Sequence, residues 1–197
     1  VKNYDGDVMN FEIAAELARG RHSVEMVVVQ DDISTKSLSL RGGRRGVAGT
    51  LVVEKLLGAA AESGMPLSGL ADLGKMICER TRTMGVALSG VAVPHTKRAS
   101  FRLGDDEMEM GVGIHGEPGL SREKLVSADT IAKLVCTPIL SELDQGKEDA
   151  ALLFVNGFGG TPISELYLMY NSVRPLFEQA GVRIARSLVG TYVTSLD

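Results

Sequence analysis

Apolar and polar positions along this chain follow two rhythms, one with helical spacing and one with the two-residue period of strands. Over residues 8 to 19, Val8, Phe11, Ala14, Ala15 and Ala18 recur at helical spacing, which predicts an amphipathic helix entered from a turn at Asp5, Gly6 and Asp7. "VEMVVVQDD", residues 24 to 32, reads as a buried strand ending in acids. A Gly, Ser and Arg rich loop over 34 to 49 then leads into a helix at "TLVVEKLLGAAAE" and a second helix over about 67 to 80. Helix, strand and helix in alternation imply a three-layer α/β arrangement.

From about residue 84 the texture changes. "GVALSGVAV" and "MEMGVGI" predict strands, and "SADTIAKLVCTPILSEL" predicts a helix with a stop or kink at Pro138. "EDAALLFVNGF" predicts another strand, and "GGTPISELYLMYNSVRPLFEQA" a helix with Thr161 as N-cap and Pro162 at the first helical position. A final strand over about 182 to 194 closes the chain. The shift sets a boundary near residues 84 to 90, giving a first α/β part over 1–85 and a second α/β domain with a mixed sheet over 86–197. No internal repeat or low-complexity tract interrupts either.

Composition changes the picture mainly by exclusion. A chain of 197 residues buries roughly 70% of the surface its unfolded form exposes, so a stable core is expected. Twenty-one basic against 25 acidic residues give a net charge of −4, and no basic run interleaves with aromatics, so nucleic acid is not an expected partner. The apolar runs are too short to span a bilayer and no signal sequence opens the chain. Cys78 and Cys136 stand isolated, which points to inert thiols in a reducing compartment. The expectation is a soluble, cytoplasmic protein. Val1 is not a start methionine and "VKNYDGD" already reads as a strand running into a turn, so an internal piece of a longer protein is expected.

The candidate chemistry centres on "GVGIHGEPG", residues 111 to 119, where glycines at 111, 113 and 116 clear the space around His115. Read as one strand, 107 to 115 sets Met108, Met110, Val112 and Ile114 on one face and Glu107, Glu109 and His115 on the other. At ~3.3 Å per residue, Glu109 then stands ~20 Å from His115 and cannot orient it. The pattern leaves open a structural histidine at a strand end. A metal reading uses "HGE" and the acids of "GDDEMEM", but the P-C-x-x-C of the zinc deaminase signature is absent.

Two loops invite a ligand. "RGGRRGVAGT" before a helix could cradle an anion with backbone N–H groups and Arg44 or Arg45, or could be a flexible loop with solvated arginines; it is not a Walker motif. "NGFGGTP" leaves the same choice, with close backbone approach to a ligand as the functional reading. Asp5 and Asp7 read either as helix caps or as chemistry. His22 and His95 read as surface histidines.

Several stretches together resemble the dihydroxyacetone kinases, in particular their dihydroxyacetone-binding K subunit or domain. They are "VKNYDGDVMNFEIAAE", "GRRGVAGTLVVEKLLGAAAE", "LGKM", "TMGVALSGVAVP", "DEMEMGVGIHGEPG", "VNGFGGTPISELYLMYN" and "GTYVTSLD". They run through nearly the whole chain in the family's order. The resemblance implies a fragment of a two-domain K-subunit fold. It implies that His115 bonds through a ring nitrogen to the substrate's carbonyl carbon as a hemiaminal, that Asp7 serves by hydrogen bonding or as general acid and base, and that Lys2 contacts the substrate. It further implies that no cofactor binds this chain, because ATP or ADP with Mg sits on a helical L partner, in some members fed by the phosphotransferase system.

A homodimer is the oligomer the resemblance implies. The family's glycine-rich loop of the "GGGSGHEP" kind, with its second catalytic histidine, has no match here, and His95 stands where the family has a small residue. Close relatives of the K subunit that bind dihydroxyacetone as sensors and switch a transcription regulator supply the alternative function, and they retain the same histidine.

Overall fold

A computed structural model describes residues 1–35, 42–90, 92–93, 98–99, 101–114, 119–143 and 150–193. The chain forms two compact units, Val1–Thr83 and Met84–Asp197, and it has the α/β character read from its sequence.

In the first unit, helix α1 runs Asp5–Ala18, α2 Gly49–Glu62 and α3 Leu67–Glu79. The "DGD" turn is absorbed into α1: Tyr4 is the N-cap, no side chain caps the helix, and Asp5 and Asp7 occupy its first turn. Two acids there suit the helix dipole, which explains why the helix starts earlier than its apolar pattern. Val8 and Ala15 are buried, whereas Phe11 and Leu17 remain exposed. The expected strand over 24 to 32 is extended chain held by single bridges, Lys2 to Val29 and Asp32 to Thr83, both parallel. Val29 donates to the Val1 carbonyl at 2.8 Å and receives Asn3 N–H at 2.9 Å. Helix α2 packs on α3, where Gly74 of α3 lies so close to Val27 that an added Cβ would meet its Cγ2 at 2.8 Å.

The second unit holds the ladders. Strands β1 (Val86–Ala87), β4 (Glu107–Met110) and β5 (Ser121–Lys124) form an antiparallel sheet in the order β1-β4-β5, and β2 (Ala92–Val93) pairs antiparallel with β3 (Arg98–Ala99). Strand β6 (Ala150–Asn156) pairs parallel with β7 (Arg183–Gly190) across the crossover helix α5 (Ile163–Gln179). Both strand senses therefore occur in this unit, in separate sheets. Helix α4 (Ala128–Glu142) packs on α5, and Ala132, Cys136, Leu153, Val173 and Phe177 form the buried core between them and β6. A second cluster, Met108, Met110 and Ile131, seats β4 on α4.

Three local expectations give way. Helix α4 continues through Pro138 to Glu142, so of the stop or kink expected there the stop does not occur; its buried face, Ile131, Ala132 and Cys136, is already committed to the core before the proline. Pro162, not Thr161, is the N-cap of α5, a displacement of one residue at a fraying end. Strand β4 stops at Met110, since Gly111 turns into the left-handed region at φ 78°, so 107 to 115 is not one continuous strand.

Candidate functional site

In the first unit Lys2 and Asp7 flank a sharp bend of the chain. The Lys2 carbonyl accepts Tyr4 N–H at 2.8 Å, folding the chain sharply between the extended entry segment and α1. Lys2 is half-buried on one side of this corner and Asp7, also half-buried, lies in the first turn of α1 on the other. Between them stands Asn3, only 4% exposed. Its carboxamide donates to the Arg44 carbonyl at 2.8 Å and to the Gly42 carbonyl at 3.2 Å, and its backbone carbonyl accepts Gly46 N–H at 3.3 Å. Gly46 is a contact point: a Cβ there would lie 2.5 Å from Asn3 N and 2.8 Å from Lys2 Cα and would overlap the Val29 carbonyl.

The loop beyond this corner is closed by the chain's own acids. Asp31, fully buried, receives Val47 N–H at 2.8 Å on one oxygen, and Gly49 N–H at 2.8 Å and the Thr83 hydroxyl at 2.9 Å on the other. Burial pushes its pKa up while these donors pull it down, with burial the stronger. Asp32 accepts the Ser34 hydroxyl and N–H on one oxygen and the Arg45 guanidinium on the other, through Nε at 2.8 Å and Nη2 at 2.6 Å. Both partners of that ion pair are almost wholly buried.

This corrects both readings of "RGGRRGVAGT" where Arg45 is concerned. Arg45 is neither solvated nor turned toward an arriving anion; it is spent on Asp32. The start of α2 does bind an anionic group, as its dipole and free N–H groups favour, and that group is the side chain of Asp31. The two acids that end "VEMVVVQDD" are the signal that could have revealed this, since charges ending a buried run must find donors.

In the second unit, His115 and residues 116–118 lie outside the described residues, as does His95. The flanks of "GVGIHGEPG" are described. Gly111 N–H donates to the Gly85 carbonyl at 2.7 Å, Leu120 N–H to the Met110 carbonyl at 2.7 Å, and Val112 and Ile114 are buried. Glu109, buried in β4, accepts Gly119 N–H at 3.0 Å and faces Arg122 Nε at 3.4 Å. A Cβ on Gly119 would overlap the Met110 carbonyl, so a glycine is needed where the chain rejoins the sheet. The expected separation of Glu109 from His115 involves a residue outside those described; what is described is that the Glu109 carboxylate holds Gly119.

The "NGFGGTP" loop also turns out to meet its own chain. Asn156 accepts Tyr192 and Val193 N–H at 2.9 Å each and donates to the Val193 carbonyl at 2.6 Å. Gly157 leaves space for Thr191 and Leu166. His22 is exposed. Among the described residues no cluster of His, Cys, Asp and Glu could hold a metal ion, and no helix is long and apolar enough to cross a membrane.

An α/β chain with an acid-anchored loop beside the "KNYDGD" corner is the class these observations define. Over residues 1–197 it matches the Dak1 domain, and it belongs to that family. It is 48% identical over 198 residues to the dihydroxyacetone-binding subunit DhaK of a PTS-dependent dihydroxyacetone kinase of Listeria innocua, covering 100% of this chain and 60% of that protein. Among solved structures, the dihydroxyacetone kinase operon co-activator Dha-DhaQ superposes with a TM-score of 0.90 at 35% identity, over 100% of this chain and 61% of that one. The native dihydroxyacetone kinase of C. freundii superposes with a TM-score of 0.84 at 34% identity, over 100% of this chain and 35% of that one. The chain thus spans about 60% of the length of the subunit relative.

Proposed function

We propose that this chain is part of the substrate-binding subunit of a dihydroxyacetone kinase, a phosphotransferase acting on an alcohol group. Residues 1–85 supply the C-terminal part of a first domain and 86–197 a second domain that carries the substrate histidine. The observation that carries this reading is the 48% identity, over the whole of this chain, to a protein named for binding dihydroxyacetone.

In this reading a neutral imidazole nitrogen of His115 attacks the carbonyl carbon of dihydroxyacetone. An N–C bond forms, the C=O π bond breaks, the oxygen takes up a proton, and the ring sheds its N–H proton. Asp7 hydrogen-bonds the captured triose and moves a proton at its hydroxyl; Lys2 contacts the same substrate. The fixed triose then presents a terminal hydroxyl for in-line phosphoryl transfer, where positioning is the main catalytic contribution. ATP, or ADP recharged by a phosphotransferase-system protein, is held with Mg by an L partner and not by this chain. The subunit acts as a cytoplasmic homodimer.

A second reading has its own support. The TM-score of 0.90 to an operon co-activator favours a non-enzymatic dihydroxyacetone sensor that switches a transcription regulator. One experiment separates the two: the complete protein is given dihydroxyacetone, an L partner and a phosphoryl donor, and triose phosphate is followed by a coupled assay while the adduct is followed by crystallography. Product with continuous density from His115 to the triose supports the kinase. Capture without product across cognate partners supports the sensor, and a free ketone in a well-occupied wild-type site overturns both.

A further inference from the structure

We infer that Asn3 is a positioning residue, which sets the direction of Lys2 and of the first turn of α1 through the loop that closes over it. The inference rests on the proposed roles of Lys2 and Asp7. Asn3 touches neither substrate nor reacting atoms in this account; it acts on the two residues that do.

A carboxamide that is 4% exposed must find partners inside the protein, because a buried polar group left unsatisfied loses its hydrogen bonds to water without replacement. Asn3 finds them in two carbonyls, those of Gly42 and Arg44, in the segment that leads into α2. Its main chain is fixed on both sides as well, by the Val29 carbonyl at 2.9 Å and by Gly46 N–H at 3.3 Å. The corner therefore sits between an extended segment and a loop, gripped by backbone and side chain together.

The grip is only as firm as the loop, and the loop is anchored at its far end by two buried acids. Arg45, between the two gripping positions Arg44 and Gly46, is locked to Asp32. Val47 and Gly49 are locked to Asp31. Rigidity passes from two buried acids through residues 42–49 to Asn3, and from Asn3 to its neighbours Lys2 and Tyr4. Tyr4 is the N-cap of α1, so the entry angle of the helix that carries Asp7 is set at the same point. A side chain whose own partners are fixed is what holds a functional group within the narrow range that productive geometry needs.

The test uses the complete subunit with its L partner and compares Asn3→Ala with Asn3→Ser, whose hydroxyl can still donate to one carbonyl. Asn3→Ala is expected to lower kcat ~10²-fold, the scale of a misplacement of about 1 Å, with KM for dihydroxyacetone changed by less than about threefold. Asn3→Ser is expected to recover part of the loss. A purely structural role would instead lower the folded fraction and leave kcat per folded molecule unchanged, and that result in either variant overturns the inference. If Asn3→Ala does not fold, the turnover of Asn3→Ser alone decides by the same criterion. Lys2→Ala and Asp7→Asn are measured alongside: if both keep wild-type turnover, the proposed function itself fails, whereas loss in these two without loss at Asn3 removes only the present inference.

Discussion

The carboxylate of Asp31 accepts the backbone N–H of Gly49 at 2.8 Å, so a side chain more than a dozen residues upstream completes the first turn of α2. Asp31→Asn keeps the shape but turns one of the receiving atoms into a donor facing an N–H or hydroxyl. Hydrogen bonds to a charged group contribute ~1.5–3 kcal/mol each, so a loss of about 3 kcal/mol in unfolding free energy is expected by urea denaturation. A loss below about 0.5 kcal/mol would return the region to an ordinary flexible loop.

The Arg45–Asp32 pair makes an opposite pair of expectations. Arg45→Glu buries two carboxylates against each other and should cost at least ~3–5 kcal/mol, the range for leaving one buried charge uncompensated. The double change Asp32→Leu with Arg45→Met removes both charges and should recover most of that loss, because apolar replacement of a whole buried pair is often neutral. Thermal melting of the single and double variants gives the comparison.

Glu109 tests the hold on Gly119. Glu109→Gln retains an acceptor for Gly119 N–H, whereas Glu109→Ala leaves that half-buried donor unanswered. The alanine variant should be less stable than the glutamine variant by ~1–3 kcal/mol, read from denaturant midpoints at equal m. Equal stabilities would mean that solvent replaces the carboxylate.

Cys136 carries the pH dependence. Burial pushes its thiol up to about 11 from the usual 9.0, so the folded state holds the proton more tightly than the unfolded one. Its contribution is complete below pH 9 and declines as the pH rises from 9 towards 11, since only the unfolded chain then gains by ionising. Cys136→Ala should flatten stability over that window while lowering it at neutral pH by ~1 kcal/mol for the lost packing. A pulse of iodoacetamide followed by peptide mass analysis should label the half-buried Cys78 first, and Cys136 only on unfolding.

The helices and the β6–α5–β7 crossover were legible because their apolar spacing is uninterrupted and their residues bury on one side. Strand β5 was not: Ser121, Arg122, Glu123 and Lys124 are all exposed, so no alternation marks them, and only pairing with β4 makes them a strand. The segment 24 to 32 was legible as extended and buried, but its sequence carries no sign that single bridges, not a ladder, would hold it.

Lys2 and Asp7 are proposed on a resemblance alone, and the residues that hold the chain around them carry no mark in the sequence. Asn3, Asp31 and Asp32 are polar residues with side-chain partners 13 to 52 residues away in sequence, Ser34 on Asp32 being the local exception, and over such distances residue spacing carries no signal. Arg45 was misread for the same reason. An arginine in a glycine-rich loop looks solvated until the acid that claims it is known.

The parallel pairing of β6 with β7 fixes the order in which the second unit can assemble. Ala150 meets Arg183, and Asn156 meets Gly190, with the whole of α5 between them in sequence. No short turn can zip such a pair from one end, so the ladder has to wait until α5 has coiled and docked, and its closure entropy is met late. Opening the pair means breaking a seven-position ladder and the packing of α5 against both strands, so its amides should be among the last of the described residues to exchange with heavy water.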